Sequence, residues 1–300
     1  MALPIVHNPI YPPPLPAGHR FPSGKYRRLA EVLMEEGLAS PGTFHTCPVA
    51  PPEWLKLAHA GSYVDNVLSA NVPDAISREI GFKITDAVIQ RAQCSAAGTA
   101  MAGRLALQHG LACNTAGGSH HARREQGAGY CVFNDVAVAA RVLQQERLAQ
   151  NILVIDLDVH QGDGTARIFT DDNTVTTFSV HANRNYPVRK AVSDHDIGLP
   201  DGTGDAEYLN VLKQTLPGLI ASTRPDLVFY NAGVDPHEND RLGRLGLTDE
   251  GLFERDHLVI ATIRQAGIPL AAVPGGGYSD DVDTLARRHA ILHRAASEFA

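Results

Sequence analysis

Between residues 117 and 278 the chain carries polar side chains in patterns that packing alone does not require. The run Val154-Ile155-Asp156-Leu157-Asp158-Val159-His160-Gln161-Gly162-Asp163 delivers two carboxylates and an imidazole at the end of an almost continuous apolar stretch. Side chains alternate along extended backbone, so Asp156, Asp158 and His160 face one side while Leu157 and Val159 face the other. An unpaired buried carboxylate costs roughly several kcal/mol, so a positive partner is expected there. Asp235, in Asn231-Ala232-Gly233-Val234-Asp235, completes an O, N, O donor set with Asp158 and His160. Three protein ligands with an open position suit catalytic zinc, and carboxylate-rich ligation also suits Fe(II) or Mn(II).

Three further clusters belong with this set. His120-His121 follows Gly117-Gly118-Ser119. Asp156 and Asp163 are available to accept an Nδ1–H bond from His120 and His121 respectively, which orients an imidazole and raises its basicity. Tyr278 follows Gly275-Gly276-Gly277 and reads as a lid residue or as a phenol that donates to a developing oxyanion. A phosphate loop is disfavoured because no GK[ST] follows the glycines. Tyr130, after Gly127-Ala128-Gly129, and Tyr186, before Pro187, read either as rim packing or as two walls of a narrow apolar tunnel for an aliphatic chain.

The elements that position these residues alternate. Apolar runs at 111–116, 152–158, 174–180, 226–232 and 268–273 read as strands. Helical patterns lie between or around them: one near the N-terminus capped by Ser23 and ended by Gly37, one from Thr85 to His109, one from Asn134-Asp135, a short one after Gly164, one from Asp205 with Tyr208, Leu209, Leu212 and Leu216 inward, one from Thr248 to Ala266, and one over 281–298. The Pro-rich first fifty residues read as a loop wrapped around the first helix. Small residues from Ala92 to Gly103 mark the 85–109 helix as buried and close-packed. The alternation predicts an α/β fold, a single-domain, open, mainly parallel sheet with helices on both faces. Four of its strands run into the polar turns described above, and ligands bind outside the carboxyl ends of such strands.

Composition sets the outer bounds. With 44% hydrophobic and 20% charged residues in 300 positions, the chain is ordinary globular material, expected to form one catalytic domain over 1–300. A formal net charge of −7 argues against nucleic acid or an anionic membrane as partner. No run of 18 apolar residues and no leader pattern is found, so a soluble cytoplasmic protein is expected. Cys47, Cys94, Cys113 and Cys131 lack CxxC spacing, which excludes a zinc ribbon and favours reduced, buried thiols.

Taken in order, GGSHHARREQGAGYCVFND (117–135), VIDLDVHQGDGTARIF (154–169), LPDGTGDAEYL (199–209), NAGVDPHENDRLGRL (231–245) and PGGGY (274–278) resemble the histone deacetylase family, zinc-dependent amidohydrolases of arginase-like α/β fold. NAGVD, DRLGRL and RDHLV look most like the class IV, deacetylase-11-like branch in a bacterial member. The resemblance implies zinc ligation by Asp158, His160 and Asp235, a tandem histidine pair at His120 and His121 backed by Asp156 and Asp163, and a carbonyl-polarising Tyr278. It implies substrate contacts at Gly129, Tyr130, Tyr186 and Gly276, with Tyr130 standing where many relatives have Phe. It also implies a structural potassium ion at Asp156, Asp158, His160, Ser179 and Val180, and places Lys25 near an internal acetate channel. No counterpart of the rim aspartate that orients a peptide in class I relatives is found in 70–84.

The reaction so implied is hydrolysis of an acyl-lysine amide, with His121 as general base, His120 stabilising charge and Tyr278 serving the oxyanion. Hydroxamates are expected to inhibit. The acyl group is left open, with acetyl, lactyl and fatty acyl all admissible. Acetylpolyamines or other small acylamines are an alternative substrate class. A two-manganese ureohydrolase and a non-catalytic acyl-lysine binder fit the same fold less well.

Overall fold

The computed structural model of the chain describes residues 2–16 and 18–300. Its elements run β1 (Ile5–Val6), α1 (Lys25–Glu35), β2 (Phe44–His45), α2 (Pro52–Ala58), α3 (Gly61–Leu68), α4 (Asp74–Ile80), α5 (Asp86–His109), β3 (Leu111–Asn114) and α6 (Asp135–Gln145). They continue through β4 (Ile152–Asp156), α7 (Asp163–Ile168), β5 (Val175–Ala182), β6 (His195–Leu199), α8 (Asp205–Thr223), β7 (Leu227–Asn231), α9 (Asp249–Gln265), β8 (Leu270–Val273) and α10 (Val282–Ser297). The strands form one sheet in the order β2-β1-β3-β8-β7-β4-β5-β6, and every adjacent pair is parallel. The expected parallel α/β architecture is therefore what the chain adopts.

Burial explains the central strands. β3, β4, β7 and β8 are buried throughout, as strands covered by helices on both faces must be. One face packs Val154 and Phe229 against α5 and α6 through residues such as Ala97, Ala100 and Leu143. The other packs Leu153, Ile155 and Tyr230 against Leu212, Leu216, Val259 and Ile263. Side-chain caps start α5, α6, α9 and α10: Thr85, Asn134, Thr248 and Asp281 each accept a backbone N–H from the first turn, whereas α8 starts after Gly204 without one.

The register brings the polar turns together. Asp156 is level with Ser179 on one side and Asn231 on the other, and Asn231 is level with Val273. β4, β7 and β8 thus end near one line while β5 runs on to Ala182, and the turns that follow β4, β7 and β8 open at the same edge.

Several local expectations are corrected. Ser23 does not cap α1; Gly24 holds that position without a side-chain bond, while Gly37 does end the helix with a positive φ. The wrapping N-terminal segment contains β1 and β2, each only two residues long and too short to show a period. α2, α3 and α4 fill a stretch for which no element is expected from the sequence. β6 is a largely exposed edge strand that lacks an apolar pattern. α7 begins at Asp163, ahead of Gly164, and Leu209 is only half-buried in α8. β4 stops at Asp156, yet Leu157 still donates to the Asn231 carbonyl and Ala182 to the Val159 carbonyl, so the chain stays extended enough to keep Leu157 and Val159 in the core. All four cysteines are free and buried. Among the described residues no helix is long and apolar enough to cross a membrane.

Candidate metal centre and active site

Asp158, His160 and Asp235 meet beyond the ends of β4 and β7, all buried, with one potential ligand atom from each lying within 4.8 Å of the others. His160 Nδ1 is 3.0 Å from Asp158 Oδ1 and 3.2 Å from Asp235 Oδ2. Asx bonds shape the turn: Asp158 N–H donates to Asp156 Oδ1, His160 N–H to Asp158 Oδ1 and Val159 N–H to Asp235 Oδ1. Asp235 Oδ2 is buried with no hydrogen-bond partner among the described residues. Burial works against a charged His160, but Asp158 and Asp235 outweigh it and lift the imidazole to about 10. Two carboxylates so placed demand a cation. An O, N, O set with an orphaned carboxylate oxygen fits a divalent metal ion better than a proton alone.

His120 and His121 stand beside this set with ring centroids 4.1 Å apart. Their expected partners are in place: His120 Nδ1 lies 2.6 Å from Asp156 Oδ2 and His121 Nδ1 lies 2.8 Å from Asp163 Oδ1. Burial opposes the Asp163 charge, but His121 and then Arg123, whose Nε is 3.4 Å from Asp163 Oδ2, hold that carboxyl below its ordinary range. The two imidazoles differ electrostatically. At His120, burial opposes the charge, but Asp156 and Asp158 prevail and raise it to about 9. At His121, burial and the neighbouring His120 charge prevail over Asp163 and lower it to about 3. Burial raises the Asp156 carboxyl too, so one proton is held along the short His120–Asp156 contact. The arrangement pairs a cationic imidazole with a neutral one, and a neutral imidazole whose Nδ1 is engaged keeps Nε2 free to accept a proton.

Tyr278 sits at the wall of a small inner cavity of about 30 Å³, room for a water or two, which Lys25, Arg91 and Cys131 also line. Its ring is 6.3 Å from that of His160. The glycine turn beneath it is tightly held. Lys25, buried, donates from Nζ to the Gly275 and Gly277 carbonyls at 3.3 Å each, so it does lie beside the inner cavity. Gly276, expected to touch substrate, lines this cavity and donates its N–H to Asp158 Oδ2 at 2.7 Å, and a Cβ there would collide with the Asp158 and Asp235 carboxylates. Close approach to the ligands is why glycine is required.

A second cavity, about 350 Å³, opens outward from this floor between Tyr130 and Tyr186. Tyr186 meets His121 edge-on at 4.7 Å and precedes a cis peptide bond to Pro187. Tyr130 stacks on Phe82 at 14° and contacts Tyr278 at 5.9 Å. It adopts φ 66°, unusual for an aromatic residue. Gly129 and Tyr130 are held by donating to the carbonyls of Glu79 and Ile80 at 3.0 and 2.7 Å. Gly129 itself lies against the His121 and Tyr186 rings. The expected tunnel residues are thus assembled around one channel.

Ser179 is level with Asp156 across β4 and β5, and its Oγ bonds His181 Nδ1 at 2.9 Å; Val180, next to it, is fully buried. Several site residues carried no signal in the sequence. Asp240 accepts from the N–H groups of Tyr278, Leu242 and Gly243, tying the Tyr278 turn to the loop that puts Leu242 at the tunnel mouth. Asn231 donates to Asp156 Oδ1 at 2.9 Å. Arg255, fully buried on α9, donates to the Leu157 and Gly233 carbonyls, the turns that carry Asp158 and Asp235. The RDHLV segment was noticed for its pattern alone; a buried Arg in an apolar helix face was the available hint.

Fold and site together define a parallel α/β protein with a metal-competent Asp–His–Asp set at the carboxyl edge of its sheet. The family model described as Histone deacetylase domain matches residues 19–293, and the chain belongs to that family, whose members are hydrolases of acetyl amides. It is 47% identical over 298 residues to an uncharacterized protein of Picosynechococcus sp., covering 99% of each chain. It is 28% identical to Histone deacetylase 2 of Arabidopsis thaliana over 92% of this chain and 76% of that one. Among solved structures, the HDA15 HD domain superposes with a TM-score of 0.80 at 21% identity, covering 99% of this chain and 89% of that one, a likeness of fold.

Proposed function

We propose that the protein is a metal-dependent lysine deacylase, hydrolysing the amide between an acetyl or other acyl group and a lysine side chain in proteins or peptides. The observation that carries this reading is the course of the outer cavity, which runs between two aromatic rings and reaches His121, His160 and Tyr278. Such a channel suits the four-methylene stem of lysine, and its floor offers a base, a cation site and a phenol to the amide. Asp158, His160 and Asp235 would hold zinc or iron(II), which when bound supplies Lewis acidity toward the amide carbonyl and a water. A potassium ion at Asp156, Asp158, His160, Ser179 and Val180 is part of the proposal, supported by the level pairing of Asp156 and Ser179.

His121, neutral, takes a proton from the attacking water at Nε2 while Asp163 fixes its ring. Oxygen bonds to the carbonyl carbon, the C–N bond breaks, and the proton passes from His121 to the departing amine. One amide and one water become a carboxylic acid and an amine. His120, cationic on Asp156, offsets negative charge as it develops, and Tyr278 donates to the oxyanion. The test is a panel of acetyl-, lactyl- and fatty-acyl-lysine peptides and N-acetylputrescine assayed with zinc-loaded enzyme, with and without a hydroxamate. Hydroxamate-sensitive turnover of at least one acyl-lysine peptide is expected. Turnover of N-acetylputrescine alone would move the substrate to small acylamines, and no turnover of any amide would refute the reading.

A further inference from the structure

The mouth of the tunnel carries an uneven set of charges. Arg78 and Glu79 border it from the end of α4. Glu79 is engaged, with Oε2 accepting from Gln126 at 2.7 Å and Oε1 3.4 Å from Arg123 Nη1. Asp280, which follows the Tyr278 turn, is paired with Arg241. Lys190 is turned onto the Asn185 and Pro187 carbonyls of the Tyr186 loop. Arg78 is exposed, and among the described residues no carboxylate lies within ion-pairing distance of it. In a chain of net charge −7, the open charge at this mouth is therefore positive.

Resting on the amide-hydrolase reading above, we infer that Arg78 selects acyl-amines bearing a carboxylate near the amine end and disfavours those bearing a further cation. Four methylenes separate the amide of an acyl-lysine from its α-carbon. With the amide on the tunnel floor, the groups flanking that lysine emerge at the mouth, beside Arg78. An acidic residue next to the acyl-lysine, or the α-carboxylate of an Nε-acyl-lysine whose α-amine is acylated, meets an unpaired guanidinium there. A lysine-rich peptide or an acylpolyamine brings an ammonium to a rim with no free carboxylate to receive it. Leu242 and Tyr186, apolar surfaces at the same mouth, add no anion. For exposed charges several Å apart the expected discrimination is a factor of about three to ten, reduced by salt.

The experiment compares kcat/KM of zinc-loaded wild type and Arg78→Glu on an acetyl-lysine peptide flanked by aspartates, the same peptide flanked by lysines, Nα,Nε-diacetyl-lysine with a free carboxylate and N-acetylputrescine. Charge reversal is expected to lower the ratio of acidic-flanked to lysine-flanked peptide by about tenfold, through KM rather than kcat, with the effect shrinking at high salt. Whichever of the acidic peptide and Nα,Nε-diacetyl-lysine loses more on reversal identifies the source of the carboxylate. Turnover with a ratio that stays within about twofold would overturn the role of Arg78 and leave the amidohydrolase standing. Absence of turnover on every arm would remove both.

Discussion

In the proposed reaction, Tyr278 and His121 divide the chemistry at the level of single side chains. The Tyr278 hydroxyl is held as a proton donor because burial, then the Asp235 and Asp158 charges, push its phenol well above the ordinary range. Tyr278→Phe removes only the donor, so kcat on an acetyl-lysine peptide should fall by about 10² with a much smaller change in KM; near-wild-type kcat would show the phenol to be a wall and no more. The metal reading is checked separately. Asp158 and Asp235 repel each other without a cation, so chelation should abolish turnover and lower thermal stability. Excess metal at about a thousand times Kd should return roughly 4 kcal/mol and the activity with it. A chelator-treated enzyme of unchanged melting temperature and full activity would count against the site. At this scale the sequence was informative where residue type is costly to bury, as with Asp158, His160 and the tandem histidines. Asp240 was not legible, since a lone aspartate in a loop looks the same whether it faces water or caps three N–H groups.

Elements hold these residues through a few buried ties, and Arg255 is the one with most at stake. From α9 it reaches under the sheet edge to the Gly233 carbonyl at 2.6 Å and the Leu157 carbonyl at 3.3 Å, while its Nε bonds Asp256 Oδ1 at 2.9 Å. Tyr230, on β7, donates to the same carboxylate at 2.5 Å. Arg255→Met should destabilise by about 3–5 kcal/mol, because Asp256 is left buried without its cation. Urea unfolding measures the loss, and a change below about 1 kcal/mol would mean that the pair is structurally idle. The double variant Arg255→Met, Asp256→Leu should recover part of that stability. Helices α5, α6, α9 and α10 were readable from period and caps. β1, β2 and β6 were not, because two-residue strands have no period and an exposed edge strand has no apolar side to betray it.

For the molecule as a whole, buried histidines set the response to acid. His59 is locked as the neutral ring: Nδ1 bonds the Arg123 carbonyl at 2.8 Å and Nε2 accepts the Asn134 N–H at 2.9 Å, so protonation breaks the second bond. Burial lowers it to about 4, and burial lowers His293 on α10 to about 4 as well. An unfolded histidine takes its proton near 6.5, so between about 6.5 and 4 the unfolded chain binds more protons than the folded one. The contribution of His59 and His293 to stability should therefore be full above pH 7 and fall as pH drops through that window, by roughly 3 kcal/mol at most for each histidine. Urea midpoints at pH 7.5, 6.0 and 5.0 test this; a flat profile would show that these rings are not held neutral.

From the order of its residues alone, the chain marked Asp158, His160 and Asp235 as one group and assigned them to a parallel α/β sheet, because buried charge and buried strands leave compositional marks that neighbours in sequence reveal. Tertiary structure decided the rest. Only the level ends of β4 and β7 bring Asp158 to Asp235, and only the fold puts Arg255 behind both turns or leaves Arg78 open at the mouth. Those facts depend on distances between segments far apart in the chain, which strand register and helix packing set and which no local pattern encodes.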